Sequence, residues 1–165
     1  MNFGAYGSLI VAGLVAVVVT LAGGLLTEIG PWYRGLRKPS WQPPDWLFGP
    51  AWTLILALAA WSASLGWDAA TPEQRPMVVG LFLLNATLHF LWSPLFFKLR
   101  RPDWALIEVP LLWLSILALI VALAPISTLA SVLLTPYILW VTFAAYLNLT
   151  IVRLNGPFSA RSRAV

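Results

Sequence analysis

The sequence has no cysteine and few charged residues, and both absences narrow the functions open to it. Without cysteine the chain forms no disulfide, thiolate metal site or cysteine nucleophile. Charged side chains make up only 10% of its 165 residues, whereas a soluble domain carries about 25%. Because 60% of the residues are apolar and the mean hydropathy is +0.84, we expect lipid to surround most of the chain.

The motifs of soluble enzymes are also missing. With a single histidine, the chain has neither an HExxH motif nor a multi-histidine metal site, and it has no glycine-rich phosphate loop or nucleophile elbow. Its net charge of +4 comes from basic residues scattered between apolar runs, which form no continuous basic face for nucleic acid. We therefore expect no bound metal, no resident cofactor and no nucleic-acid partner.

Five apolar segments are long enough to cross a bilayer, since a spanning helix needs roughly 20 mostly apolar residues. The breaks between them carry prolines and charges, except for the short uncharged break at 125–128. The sequence predicts an all-α integral membrane protein, a single five-helix transmembrane bundle over residues 1–165. The predicted helices are Ala5–Leu26, Trp46–Trp67, Met77–Phe97, Trp104–Ala124 and Leu129–Val152.

The basic residues lie almost entirely on one side of this predicted bundle. Five spans place nine of the ten Lys and Arg residues in the first loop, the third loop and the C-terminal segment, and only Arg75 on the other side. The positive-inside rule then predicts a cytoplasmic C-terminus and an N-terminus outside. The first segment is too long for the core of a signal peptide, so we expect a retained helix. We expect the membrane to be a bacterial cell membrane.

Small residues form a ridge along the first predicted helix. Ser8, Ala12, Ala16, Thr20 and Gly24 follow one another at i+4 spacing and share one face. Small residues let helix backbones approach closely in lipid. This ridge therefore predicts a helix contact, either inside the bundle or across a dimer.

Asn85, His89 and Ser93 give the third predicted helix a polar face, since they stand at i, i+4 and i+8. One interpretation is an interhelical hydrogen-bond ladder, because such side chains join helices in membranes. The other is the polar wall of a ligand cavity, because polar groups inside a membrane are costly and are therefore functional candidates.

Two further residues interrupt the apolar character of the last two predicted helices. Glu108 is expected to pair with Lys98, Arg100 or Arg101 near the cytoplasmic surface, with a role in proton relay as the alternative. Pro136 has no N–H to donate and is expected to kink the fifth helix.

The most specific motif lies in the first loop, where residues 32–44 read WYRGLRKPSWQPP. Further blocks are WSPLFF at 92–97, PYILW at 136–140 and AAYLN at 144–148. Together these residues resemble the tryptophan-rich sensory protein family, also called the translocator protein or peripheral-type benzodiazepine receptor family. The resemblance covers nearly the whole chain.

This resemblance implies a five-helix bundle, usually a homodimer, whose pocket opens toward the first loop. It implies binding of porphyrins, of isoquinoline and benzodiazepine-type drugs and, in some members, of sterols. The positions that match ligand contacts in the family are Tyr33, Trp52, Asn85, His89, Trp140 and Ala144. The protein is thus expected to be a membrane receptor, sensor or carrier for porphyrins and other hydrophobic aromatic molecules.

Two positions depart from the family pattern. The family usually has asparagine where this chain has His89, which either serves a neighbouring helix as a neutral hydrogen-bond partner or faces the pocket and ligates haem iron. Leu149 stands where the vertebrate-type sterol motif has an aromatic residue. The resemblance therefore does not extend to sterol recognition at that position.

Two other functions stay open beside ligand binding. One is light- and oxygen-dependent breakdown of bound porphyrin through Trp52 and Trp140, which the resemblance implies from bacterial relatives. The other is a scaffold that acts on partner proteins through its cationic loops. For ligand binding, the first loop is expected to act as a lid, because its four prolines limit the backbone and its aromatic residues can close over an apolar molecule.

Overall fold

The structure is a computed structural model that describes residues 6–158. It confirms the five predicted spanning helices, each long and apolar enough to cross a membrane. In chain order the helices are α1 (Gly7–Leu26), α2 (Pro31–Gly35), α3 (Asp45–Ala69), α4 (Arg75–Ser93), α5 (Pro102–Leu123), α6 (Thr128–Val132) and α7 (Thr135–Asn155). The predicted first residue of the first helix, Ala5, and the basic residues Arg161 and Arg163 lie outside the described residues.

The third span ends in a π-helical turn, Pro94–Lys98, which continues α4 directly. Pro94 has no N–H to donate to the preceding turn, and a wider turn is one way for a helix to continue past such a residue. The N–H of Leu99 donates to the carbonyl of Pro94 at 2.9 Å, five residues back. The span predicted as Met77–Phe97 therefore runs without interruption from Arg75 to Lys98.

The fifth span is interrupted by a short turn just before Pro136. α6 ends at Val132, Leu133 and Leu134 form a turn, and α7 begins at Thr135. Pro136 consequently lies in the first turn of α7, where a backbone N–H would have no partner within the helix. The disturbance that Pro136 predicts in the fifth helix thus lies at Leu133 and Leu134, just before the proline, where the backbone keeps right-handed helical torsion angles.

α5 forms the centre of the bundle, and its buried side chains pack with α3, α4 and α7 in one apolar cluster. The close approach of α3 depends on Gly66, since a Cβ at that position would lie 2.7 Å from Cδ2 of Leu123. By contrast, none of residues 7–26 of α1 is buried. α1 therefore lies at the edge of the bundle, where it packs mainly on α3.

Large apolar side chains cover the outside of the bundle. Leu14, Val18, Val121 and Leu139, from three different helices, are each more than 60% exposed. Contact with lipid instead of water costs such apolar side chains no free energy. Together with the five apolar spans, they make this chain a multi-pass integral membrane protein.

The loops divide between the two ends of the bundle. The first loop (27–44), the connection at 99–101 and residues 156–158 after α7 lie at one end, which we call the basic end because it carries most of the Lys and Arg residues among the described residues. The start of α1, the loop at 70–74 and the connection at 124–127 lie at the opposite end.

Candidate functional site: an aromatic cavity beneath the first loop

A cavity of about 450 Å³ lies in the basic half of the bundle. All five spans contribute to its walls, and Thr27, Ile29 and Tyr33 border it from the first loop. The lining is mostly apolar and aromatic, with a few polar side chains between. Sites for small molecules typically have volumes of about 300–1,000 Å³ and this kind of lining. The cavity is therefore suited to an apolar molecule with few polar groups.

Trp52 of α3 stands at the centre of the aromatic wall. Its ring centroid lies 4.7 Å from that of His89 and 6.2 Å from that of Trp140, both edge-to-face. Tyr137 packs against Trp52 with ring centroids 6.1 Å apart, and its phenol oxygen lies 3.2 Å from Nδ1 of His89. Edge-to-face contacts of this kind are favourable, so they hold the Trp52 ring between α4 and α7.

Trp140 of α7 offers an unused hydrogen-bond donor. Its ring packs on Phe48 and Phe143 with centroid distances of 5.8 and 5.4 Å. Its indole N–H is buried and meets no acceptor within residues 6–158. A buried donor without an acceptor costs about 1–3 kcal/mol. Because Trp140 lines the cavity, this donor is available to an acceptor on a bound molecule.

The first loop is fastened to α3 through Tyr33. The Tyr33 phenol donates to Oδ1 of Asp45 at 2.9 Å and accepts from Nε2 of Gln42 at 3.2 Å. Nζ of Lys38 lies 3.5 Å from the centroid of the Tyr33 ring. Burial, and then the hydrogen bond to Asp45, raise the pKa of Tyr33. The phenol therefore remains a donor at neutral pH.

A second set of contacts fastens the first loop to α7. Oδ1 of Asn155 accepts from the N–H of Arg37 at 2.7 Å, and Nδ2 of Asn155 donates to the carbonyl of Arg37 at 2.8 Å. Trp41 stacks on Tyr146 with centroids 5.2 Å apart and meets Phe143 edge-on at 6.0 Å. With both sets of contacts made, the first loop covers the basic end of the cavity.

Comparison with known proteins places these residues in a family. The sequence signature of the TspO/MBR family matches residues 11–154, which include every residue that lines the cavity. This chain belongs to the TspO/MBR family.

Several TspO/MBR proteins are similar over most of their length. The Tryptophan-rich protein TspO of Chlorobaculum tepidum is 41% identical over 145 residues, which are 86% of this chain and 91% of the relative. The human Translocator protein is 36% identical over 126 residues, 75% of each chain. The Tryptophan-rich sensory protein of Cereibacter sphaeroides is 35% identical over 132 residues, 80% of this chain and 82% of the relative.

The structure brings together most of the positions that resemble the family's ligand contacts. Tyr33, Trp52, His89, Trp140 and Ala144 all line the cavity. Asn85 does not line it, since this residue is buried between α4 and α5, where its Nδ2 donates to Oγ of Ser115 at 2.9 Å. The polar face of α4 is thus divided, with Asn85 joining two helices and with His89 and Ser93 in the cavity wall.

Several cavity residues were not singled out from the sequence. Phe96 and Phe97 reach the cavity from the π-helical turn, whose only signal in the sequence is Pro94. Asp45 belongs to none of the sequence motifs, but the structure makes it the acceptor for Tyr33. No local pattern announces that pairing, because the two residues are twelve apart in the chain.

Glu108 does not pair with the basic residues near it in the sequence, so the expected pairing is wrong. Arg101 pairs instead with Asp103, with Nε 2.7 Å from Oδ1, and Lys98 pairs with Glu28 at 3.3 Å. Glu108 is only 7% exposed, and neither of its carboxyl oxygens has a hydrogen-bond partner in the described part of the chain. The reason is that Glu108 lies on the inward face of α5, whereas Lys98 and Arg101 pair with carboxylates nearer the surface.

Proposed function

We propose that this protein is a membrane receptor, sensor or carrier that binds porphyrins, such as protoporphyrin IX, and related flat aromatic molecules in its cavity. The names of its relatives, a translocator and a sensory protein, support the general role. The aromatic lining supports a flat ligand, since ring faces and edges of the wall pack well on an aromatic plane.

The observation that carries this proposal is the environment of Trp140. Its ring and that of Trp52 stand almost perpendicular in the cavity wall, with an angle of 85° between them. A flat molecule that stacks on one indole would therefore meet the other edge-on. The unpartnered N–H of Trp140 adds a donor for a ligand nitrogen or oxygen. Together they provide apolar contact and one directed polar contact.

Binding can be tested by titrating the purified protein with protoporphyrin IX and following the quenching of tryptophan fluorescence. Ala144 lines the cavity, so Ala144→Phe should fill part of it and weaken binding by roughly tenfold or more. Ala118→Phe is the matched control, because Ala118 is exposed on α5 and does not line the cavity. Equal affinities for the two variants would contradict binding in this cavity.

Light- and oxygen-dependent breakdown of the bound porphyrin is a second candidate function, favoured by the presence of two oxidisable indoles, Trp52 and Trp140, in one cavity wall. Here the porphyrin absorbs the light and oxygen is the oxidant. Illuminating the protein with protoporphyrin IX distinguishes the two functions. If the porphyrin spectrum disappears in the wild type but persists in Trp140→Phe, the protein breaks porphyrin down. If the bound porphyrin bleaches only at the rate of free porphyrin, the protein binds porphyrin without breaking it down.

We further propose that the basic end faces the cytoplasm of a bacterial cell and that two copies form a homodimer. The distribution of Lys and Arg supports the orientation, and the family resemblance supports the dimer. Light scattering of the detergent-solubilised protein tests the second point, since a protein mass of 18.2 kDa would mean a monomer.

A further inference from the structure

Helices α1 and α3 are joined at the end opposite to the basic end. Oγ of Ser8 lies 3.0 Å from Oγ of Ser64 and donates to Oδ2 of Asp68 at 3.0 Å. Within residues 6–158 these are the side-chain hydrogen bonds that join the two helices. They lie at the beginning of α1 and at the end of α3, so they hold only one end of the pair together.

At the basic end the same two helices line the cavity instead. The contribution of α1 comes from its last two turns, and that of α3 from its first three turns. The residues are Val19, Thr20, Gly23 and Gly24 in α1, and Asp45, Trp46, Phe48, Gly49, Trp52, Thr53 and Leu56 in α3. Because no residue of α1 is buried, separation of this helix from α3 here would expose no buried side chain of α1.

Several of these lining residues are also exposed on the outside of the bundle. Gly24, Gly49 and Thr53 are exposed, and Trp46 is 71% exposed. A Cβ added to Gly23, Gly24 or Gly49 would meet no atom within 4 Å. Residues that line a cavity and also face outward mark an opening, and the glycines carry no side chain that would narrow it.

The threonine side chains beside this opening form hydrogen bonds with the backbone one turn earlier in the chain. The hydroxyls of Thr20, Thr27 and Thr53 donate to carbonyls of their own helices, those of Ala16, Gly23 and Gly49, at 2.8 to 2.9 Å. A threonine bonded in this way has no free hydroxyl donor and can present its methyl group outward. The edges of the opening are therefore apolar and match the hydrocarbon of a bilayer.

We propose that the cavity opens sideways between α1 and α3 and takes up ligands dissolved in the bilayer leaflet at the basic end. This inference rests on the proposed binding function and specifies its ligand class as apolar molecules that partition into lipid. The path through the first loop is closed by Tyr33 with Asp45, by Arg37 with Asn155 and by the stacking of Trp41. In the described part of the chain, no side-chain hydrogen bond crosses the gap between α1 and α3 at the basic end.

Two variants narrow the gap from opposite sides, Gly24→Phe in α1 and Gly49→Phe in α3. Both positions have room for a side chain. Protein in vesicles of phosphatidylcholine and phosphatidylglycerol is mixed with vesicles that contain protoporphyrin IX, and tryptophan quenching gives the rate constants. We expect both variants to slow the dissociation of protoporphyrin IX as well as its association by roughly tenfold, because a narrowed gate slows passage in both directions, whereas a side chain that only filled cavity volume would speed dissociation.

The controls separate this route from its alternatives. Gly80→Phe, at an exposed position of α4 that does not line the cavity, should bind at the wild-type rate. The paired change Ser8→Cys and Ser64→Cys, in a chain without other cysteines, should join the opposite ends of α1 and α3 and leave the rates unchanged. Melting temperatures confirm that each variant is folded.

The first-loop variant Trp41→Ala with Asn155→Ala loosens the lid. If this variant binds faster while Gly24→Phe and Gly49→Phe bind at the rate of Gly80→Phe, ligand passes through the first loop and the lateral route is wrong. If the wild-type protein shows no quenching at equilibrium, the proposed binding function itself is wrong. Normal equilibrium binding with unchanged rates in both glycine variants rejects the lateral route alone.

Discussion

The phenol oxygen of Tyr137 lies 3.2 Å from Nδ1 of His89, which joins α7 to α4 at the cavity wall. This contact uses one ring nitrogen and leaves Nε2 as the nitrogen for any other ligand. Within residues 6–158 no three His, Cys, Asp or Glu side chains cluster as metal ligands. A tetrapyrrole iron in the cavity would therefore depend on His89, oriented by Tyr137, for an axial histidine ligand.

Hemin titration distinguishes an iron ligand from a helix-joining histidine. If His89 binds iron, the Soret band shifts in the wild type and not in His89→Asn or His89→Leu, while His89→Asn still binds metal-free protoporphyrin IX. Tyr137→Phe should weaken hemin binding by roughly tenfold, because it removes the partner that orients the imidazole. Identical hemin spectra for the wild type and both His89 variants would mean that His89 does not bind iron and serves as a hydrogen-bond partner of Tyr137.

Removing the carboxyl group of Glu108 should stabilise the protein. A buried polar group without a partner costs about 1–3 kcal/mol, and Glu108 has none in residues 6–158. Glu108→Leu is therefore expected to raise the melting temperature in detergent, whereas Asp103→Asn, which breaks the pair with Arg101, should lower it or leave it unchanged. A clear loss of stability in Glu108→Leu would mean that the carboxyl group has a partner in solution.

Tyr33 should ionise only at unusually high pH while the first loop is closed. Burial and the hydrogen bond to Asp45 raise its pKa above the ordinary value, which is about 10 for an exposed tyrosine. The contacts of the protonated phenol therefore stabilise the fold fully at any pH below the ordinary pKa. This stabilisation is lost as the pH rises through the raised pKa of the folded protein. The difference in phenolate absorbance between wild type and Tyr33→Phe measures this titration. Ionisation at the ordinary value would show that the loop is open in solution.

The spans were predictable because each requires a long apolar run, and no tertiary contact changes that requirement. The form of the helices at proline was not predictable in the same way. Pro94 lies in a π-helical turn, and Pro136 lies in the first turn of a new helix. Each of these prolines lacks a backbone N–H, but the local helix geometry at each one also depends on the packing of neighbouring helices. The sequence pattern carries no information about that packing.

The candidate site shows the same limit at neighbouring residues. Asn85 and His89 lie one turn apart on one face of α4, so the pattern predicted a common role. In the structure Asn85 meets Ser115 of α5, and His89 meets Tyr137 of α7 at the cavity. Asn85 and His89 have different roles because a different helix lies opposite each turn of α4. The tertiary arrangement of the helices decides which one that is.

Reporter fusions test the orientation of the bundle. Nine of the ten Lys and Arg residues belong to the loops and terminus that we assign to the cytoplasm. A reporter that is active only in the cytoplasm should therefore work when fused after Val165, and a periplasmic reporter should work when inserted in the loop at 70–74. The reverse pattern of activities would overturn the orientation.

Limited proteolysis tests the closed first loop, because Arg34 and Arg37 are exposed and lie within it. Asn155 makes two hydrogen bonds to the backbone of Arg37, so Asn155→Ala should speed tryptic cleavage there by roughly tenfold. Thr150→Ala is the matched control, since the Thr150 hydroxyl donates to the carbonyl of Tyr146 in its own helix and bonds no residue of the first loop (27–44).

Ligand should act on this loop in the opposite direction to Asn155→Ala. A molecule that fills the cavity contacts Tyr33 from below and favours the closed loop, in which Tyr33 is hydrogen-bonded to Asp45. Saturating protoporphyrin IX should therefore slow cleavage at Arg34 and Arg37 in the wild type, and less so in Ala144→Phe, which is expected to bind weakly. Equal cleavage with and without porphyrin, in protein shown to bind it, would mean that the loop does not respond to the cavity. The loop would then be a fixed cover, held by Asn155 and Trp41 whether or not the cavity is filled.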